Sequence, residues 1–506
     1  MKKFILLCTF CWGMLVPGAR ACTSFLAGRN ATIDGSTFIT YAADSHTLYG
    51  ALKFIPAARH PKNSTMEIRE WDTNKLLGHI PQVEYTYKVV GNMNEHQLSI
   101  TESTWGGRPE LVDTTGIIDY GSLMYIALQR AKTAREAITV MTDLVSEYGY
   151  YSSGESFSIA DPEEVWIMEM IGKGPQNQGA VWVAVRIPDD CIAAHANQSR
   201  IHKFPLDDKE NCLYSPDVIS FAREQGYFNG LNKDFSFADA YAPADFGALR
   251  GCEARVWSFY NRFNSSMGKY LSYLNGKSKE YLPLYIKPDK KLSVQDMKDA
   301  MRDHFEGTPF DMTQDVGAGP FKCPYRFRPM TFKVDSVEYT NERAVATQQT
   351  AFTLVAQMRS WLPNAIGGVL WFGVDDTNTC VYVPLYACLN EVPECYSELN
   401  GSMYDLSWTS AFWIHNWVAN MAYSRYDQMI EDIRPVQKDI ETTFNVQQPV
   451  IEKVANDLYR NDPVAAIRFL NAYSVAQAQQ TTVQWKKLGE FLLVKYLDGN
   501  RKKEKG

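Results

Sequence analysis

The chain has 506 residues, 45% of them apolar and 13% aromatic, and a formal net charge of −7. It has no low-complexity tract, so the composition predicts one large compact body with appendages and excludes a disordered chain or beads on linkers. The acidic balance excludes the electrostatic footprint of a nucleic-acid binder.

The first 21 residues read as a leader. Lys2 and Lys3 precede a 13-residue apolar run from Phe4 to Val16, then Pro17-Gly18 and the small residues Ala19 and Ala21. This is the pattern of a secretory signal peptide, and the run falls short of the roughly 20 residues that span a bilayer. Residues 1–21 are therefore expected to be removed and the protein exported, to a periplasm or the extracellular space. Removal takes away Lys2, Lys3 and Arg20 and moves the formal charge from −7 to −10.

Cleavage after Ala21 would leave Cys22 first, with a thiol and a free α-amine on one residue. Three readings compete for it. It is a nucleophile, or the acylated cysteine of a lipid-anchored surface protein, or simply the start of a buried strand or half of a disulfide. Ala19, where a lipobox favours Leu, and the charged Arg20 that follows it, where a lipobox favours a small residue, both speak against the lipid reading. Seven other cysteines lie beyond the leader, at 191, 212, 252, 323, 380, 388 and 395, enough for at most three disulfides among themselves. Beyond the leader no two cysteines stand in C-x-x-C spacing, which argues against a thiolate zinc site.

Along the chain, residues 22–44 predict two short strands around the turn signals at 28–30 and 34–35. Further strands are expected at 97–101, 157–160, 165–171, 180–187, 191–195, 368–373 and 380–385, separated by Gly, Pro and Asp turns. Helices interrupt them. Thr133 and Glu136 suggest a capping box ahead of the stripe Ala137, Ile138, Met141, Leu144, Val145. Ser215-Pro216 opens a helix that stops at Gly226, and Ser293 opens one that ends before Gly307. From about 403 the pattern turns helical: 407–441, broken or ended near Pro435, then 451–458 and 463–496. Trp408, Phe412, Trp413 and Trp417 read as core packing there. His415, Asn416, Asn420 and Arg425 in the same stretch exclude a transmembrane helix. Blocks of strands with helices between them predict α+β layers, with a core over 22–402 and a helical extension over 403–506.

The chemistry centres on Cys22. A thiol is mostly protonated at neutral pH and needs a base. An N-terminal residue carries its own, because an α-amine titrates near ~7.7–8.0 and can accept the thiol proton directly or through one water. Asp44, at the end of the second strand, is placed to orient that amine by a hairpin return. Asn197, after a strand in "HANQSRI", offers a side-chain NH₂ for a tetrahedral oxyanion. Arg255 and Arg262 in "CEARVWSFYNRF" are candidate charge partners. The acids Asp161, Glu163, Glu164 and Glu169 invite a role in holding a peptide's ammonium, although turn and strand-edge positions account for them better. No phosphate loop or metal-ligand spacing occurs, so neither a nucleotide nor a metal cofactor is expected.

The ordered set Cys22 after a leader, "DGSTFITYAAD", "GNMNEHQLSITESTWGGR", "GESFSIADPEEVWIMEM", "AAHANQSRI", "ARVWSFYNRF", "HFEGTPFDMT" with "GPFKCPYR", and "CVYVPLY" resembles the cysteine dipeptidases with an N-terminal nucleophile, the family of dipeptidase A and the secernins. The resemblance covers nearly the whole chain beyond the leader. It implies a four-layer αββα sandwich with the nucleophile at the start of a central strand, and metal-free hydrolysis of dipeptides or short peptides through a thioester. Carried over by position, it implies Cys22 as nucleophile and base, Asp44 as the family's aspartate and Asn197 as the oxyanion asparagine. Arg255, in its R-V-W context, matches the arginine of the related choloylglycine hydrolases and penicillin acylases better than Arg262 does. Two departures stand out: Tyr41 occupies the place of an arginine in those amidases, and no asparagine stands on the strand at 102–105 where they carry a second oxyanion donor. A choloylglycine- or penicillin-type amidase, a papain-like Cys–His protease using a histidine such as His195, and a lipid-anchored binding protein without catalysis are the alternatives. Oligomeric state is left open.

Overall fold

The computed structural model describes residues 22–326, 331–340 and 342–502. The expected leader, residues 1–21, lies outside the described residues.

Fifteen strands form two antiparallel sheets. In chain order they are β1 Ser24–Ala27, β2 Thr37–Asp44, β3 Phe54–Ile55, β4 Val89–Val90, β5 Met93–Asn94, β6 Ser99–Gly106, β7 Gly154–Ala160, β8 Val165–Gly172, β9 Ala180–Arg186, β10 Ile192–His195, β11 Cys212–Tyr214, β12 Tyr285–Ile286, β13 Thr350–Met358, β14 Val369–Val374 and β15 Val383–Tyr386. The first sheet runs β12-β10-β1-β2-β13-β14-β15 and the second β11-β9-β8-β7-β6-β5-β4-β3. Every residue of β1, β2, β7 and β8 is buried. Such strands are covered on both faces, so they read as continuous runs rather than as alternation.

The cover on one face is the other sheet, since β2 packs against β6 and β7 and β1 against β6. Small hydroxyl side chains bridge the two sheets there. Ser24 Oγ lies 3.3 Å from Thr101 Oγ1, and Thr101 donates to the Thr40 carbonyl at 3.2 Å. On the other face are helices. α1 (Tyr120–Arg130) and α2 (Ala134–Tyr148) pack on the second sheet, and α4 (Ala254–Phe263), which follows α3 (Val218–Glu224), packs on β10 of the first. α5 (Val294–Ala300) packs on β13, and α6 (Ala411–Ser424), α7 (Tyr426–Asn461) and α8 (Pro463–Lys495) cover β14 and β15. The chain is thus a mixed α/β protein with antiparallel sheets and a helical C-terminal region.

Several helix ends follow the sequence signals. Ser293 and Asp296 cap α5 reciprocally. At α2 only half of the expected box forms: Thr133 accepts the Glu136 N–H, but the Glu136 carboxylate accepts the N–H of Lys132 rather than that of Thr133. α1, capped by Asp119, carries no cue that the pattern reading used.

The expected break near Pro435 is corrected. The chain breaks at Arg425, and α7 runs unbroken through both Pro435 and Pro449. Both prolines are exposed, so the carbonyls they leave unpaired face water, while Ile433, Ile440 and Phe444 are buried on the opposite side. Phe412 is buried as expected, but Trp408 is 46% exposed and belongs to the rim rather than the core. The eight cysteines of the described residues are all unpaired. No helix among the described residues is long and apolar enough to cross a membrane.

Candidate active site

Pairing of the two N-terminal strands builds the site. Before β1 begins, Thr23 pairs with Ala42, and the Ala42 N–H donates to the Thr23 carbonyl at 3.0 Å. Cys22 is thereby set beside the end of β2, where Asp44 stands. Cys22 is 6% exposed and lines a cavity of about 100 Å³ together with Tyr41, Asp44, Glu102, Tyr120 and Phe352. A second cavity of about 280 Å³ shares Leu48, Trp71, Asn92, Tyr125 and Phe352 with the first, so the thiol lies at the inner end of a longer, partly aromatic cleft.

The Cys22 thiol donates to Glu102 Oε1 at 3.4 Å and faces the Tyr41 hydroxyl at 3.7 Å; Tyr41 in turn donates to the same Glu102 oxygen. Burial, then the Glu102 and Asp44 carboxylates, push the thiol well above its ordinary range, partly offset by the Asp44 N–H and Tyr41. Asp44 accepts from Thr350 Oγ1 at 2.6 Å and from Arg343 at 2.9 Å. Burial holds its carboxyl up at about 6, against the lowering effect of Arg343, Thr350 and Arg255.

Arg255 is fully buried, and all five of its N–H donors are used. They reach the Gly251 carbonyl (2.7 Å), the Cys22 carbonyl (2.9 Å), Thr23 Oγ1 (2.7 Å), the Ala196 carbonyl (3.2 Å) and Asn197 Oδ1 (3.0 Å). The widened π-type turn Leu249–Glu253 that leads into α4 carries the Gly251 carbonyl. One guanidinium therefore ties the head of β1 to the loop after β10. Arg262, the other candidate, pairs with Asp303 at 2.7 Å and touches none of these groups.

Asn197 follows β10 with a left-handed backbone, φ +55°, a conformation asparagine tolerates better than most residues. Its Nδ2 donates to the Thr104 carbonyl at 2.6 Å and its N–H to Ser103 Oγ at 3.3 Å. Asn197 and Arg255 stand behind the thiol, and only Cys22 and Asp44 of the four predicted residues line the cavity. Glu169 supports the same loop, accepting from Ser199 Oγ and from the N–H groups of Arg200 and Ile201. The other acids singled out in sequence do structural work elsewhere: Asp161 accepts the Ala134 N–H at the start of α2, Glu163 pairs with Arg29, and Glu164 with Arg135.

His195 is not available to the thiol. Its two ring nitrogens face Ser103 Oγ at 2.6 Å and Ser158 Oγ at 2.7 Å, and burial with the nearby Arg200 and Arg255 lowers its pKa to about 3. Glu102, Arg343 and Thr350 are the site residues that sequence reasoning missed. A lone glutamate inside the buried strand "SITESTW" was the available signal for Glu102; nothing local marks Arg343 or Thr350.

Comparison with known proteins gives first the class, a peptide hydrolase. The model of peptidase family C69 matches residues 52–439, most of the chain, and the chain belongs to that family. It is similar to a protein named "Probable dipeptidase" from Latilactobacillus sakei, 27% identical over 80% of this chain and 82% of the relative. A "Probable dipeptidase" from Salmonella dublin is 27% identical over 76% and 85%, and a "Probable dipeptidase B" from Streptococcus pyogenes serotype M1 is 23% identical over 95% and 94%.

Proposed function

We propose that the protein is an exported cysteine dipeptidase whose nucleophile is Cys22, made N-terminal by removal of residues 1–21, on the αββα fold of N-terminal-nucleophile hydrolases. The observation that carries the reading is the position of Cys22. It heads a central strand, its thiol lies on the wall of the cleft, and its carbonyl is held by a fully satisfied buried arginine. The facing sheets with helices outside, and the relatives named as dipeptidases, support the same reading.

In this mechanism the Cys22 α-amine takes the thiol proton and the thiolate attacks the scissile carbonyl carbon. The oxyanion is stabilised by N–H donors, among them, as the family resemblance implies, the second Nδ2 proton of Asn197. Collapse breaks the C–N bond, and the leaving amino acid receives the proton held by the α-amine. Water then attacks the thioester, giving its proton to the α-amine; the C–S bond breaks and the thiol is restored. Asp44, paired with Arg343, fixes the amine, and Arg255 positions Cys22 and Asn197 relative to each other.

The test is to express the chain with its leader, determine the N-terminal residue and intact mass of the exported protein, and assay it on dipeptides. A chain starting at unmodified Cys22 that releases amino acids is expected. Cys22→Ala should fold with the same circular dichroism and lose at least about 10³-fold in kcat. A start elsewhere, or an acylated Cys22, removes the mechanism.

A further inference from the structure

The Cys22 thiol donates to a buried carboxylate. Glu102 is 2% exposed, lines the cleft, and accepts the thiol at 3.4 Å through Oε1, while Oε2 has no hydrogen-bond partner among the described residues. No cationic side chain of the described residues pairs with it. A buried carboxylate in this state is costly unless a cation meets it. Beside a thiol that must ionise it is also counterproductive, because negative charge at this distance opposes the thiolate.

We infer that Glu102 is the recognition site for the substrate's own α-ammonium, so that the enzyme takes peptides with a free N-terminus and cleaves their first peptide bond. This rests on the dipeptidase reading above and names the residue that sets its specificity.

The distances are those the chemistry requires. An attacked carbonyl carbon sits about 3–3.5 Å from the sulfur. The α-nitrogen of the same residue is two bonds from that carbon, about 2.5 Å away. The ammonium of a bound dipeptide therefore falls in the shell around Sγ that Glu102 occupies, with the unpartnered Oε2 ready to accept from it. The resting thiol keeps its proton on Glu102; an arriving ammonium takes over the carboxylate, and the local negative charge that held the thiol protonated is cancelled. An N-acylated peptide brings an amide and an extra carbonyl oxygen to the same place. It leaves the buried carboxylate unpaired and the thiol unreleased, which also separates this site from one built for conjugated amides.

The test compares an apolar dipeptide with its N-acetyl form on the mature enzyme and on Glu102→Gln. The wild type is expected to prefer the free dipeptide by about 100-fold or more in kcat/KM. Glu102→Gln should bring the two substrates within a few-fold of each other, mainly by losing the free one. A merely structural role would lower both equally and keep the preference, and that result, or a wild type that accepts both forms alike, overturns the inference while leaving the dipeptidase reading intact. If the wild type cleaves neither, the dipeptidase reading fails, and calorimetry still decides on Glu102. Cys22→Ala should bind the free dipeptide in preference to the acetylated one, and the added Glu102→Gln should abolish that preference; equal binding of both forms overturns the proposal.

Discussion

At the scale of single residues, the site is a balance of two carboxylates, Asp44 and Glu102, and two guanidiniums, Arg255 and Arg343, around one thiol. Both cations lie on the Asp44 side, since Arg343 pairs with Asp44 and Arg255 holds the Cys22 carbonyl. This unequal distribution predicts a pH dependence. The Asp44 carboxyl is held up at about 6 in the fold, against ~3.9 in an unfolded chain. Between those values the folded state binds the extra proton, so the contribution of Asp44 to stability is present at acid pH and is lost as pH rises through about 6. In the mechanism proposed above activity runs the opposite way, because fixing the amine requires the carboxylate. We expect kcat/KM for a dipeptide to rise as pH increases through about 6. A profile that is flat from about pH 5 to 7 contradicts this role for Asp44.

At the scale of elements, α7 shows how position decides what a proline does. Pro449 is exposed in mid-helix and removes one backbone hydrogen bond to Asn445, yet the helix continues because its other side is buried. Asn445 also meets α5, where its side chain donates to Gln295 at 2.9 Å and accepts from Lys298 at 3.2 Å. Pro449→Ala is expected to stabilise the protein by about 1–3 kcal/mol, seen as a higher urea midpoint with an unchanged slope. A lower midpoint would mean that the bend at Pro449 is needed to bring Asn445 onto α5. Pattern reading expected Pro435, also exposed on α7, to break or end the helix because local propensity carries no information about which side faces water.

For the whole molecule, the C-terminal helices complete the fold. Trp485, Leu488 and Leu492 of α8 are buried, and α8 packs on β15, whose four residues are all buried. Without residues 403–502 the outer face of β14 and β15 would be bare apolar surface far beyond what a soluble protein exposes. A chain ending at residue 402 is therefore expected to lose near-ultraviolet circular dichroism and to bind a hydrophobic dye, as a molten globule does. A truncated chain that keeps a sharp thermal transition and dipeptide turnover would show the helices to be a separate unit.

Much of this was legible in the sequence. Periodicity and turn residues located β1, β2, β7, β8 and β9, and caps such as Ser293 located helix starts, because these signals are local. The position of Cys22 and the order of the motif blocks pointed to the family. The resemblance also brought Asp44, Asn197 and Arg255 into one list, and the folded chain joins them around Cys22 through contacts that span up to 233 residues. What no local pattern carries is which charges end up facing one another. Glu102 is one glutamate in a strand until the packing of two sheets sets it against Cys22. Arg343 has no meaning until β13 pairs with β2 and brings it to Asp44. His195 and the acids of 161–169 looked available until burial and hydrogen bonding committed them elsewhere. Sequence by itself located many of the elements, the family and a candidate nucleophile. Tertiary structure decided the electrostatics around that residue, because the free energy of a charge depends on its neighbours in space and on whether water can reach it.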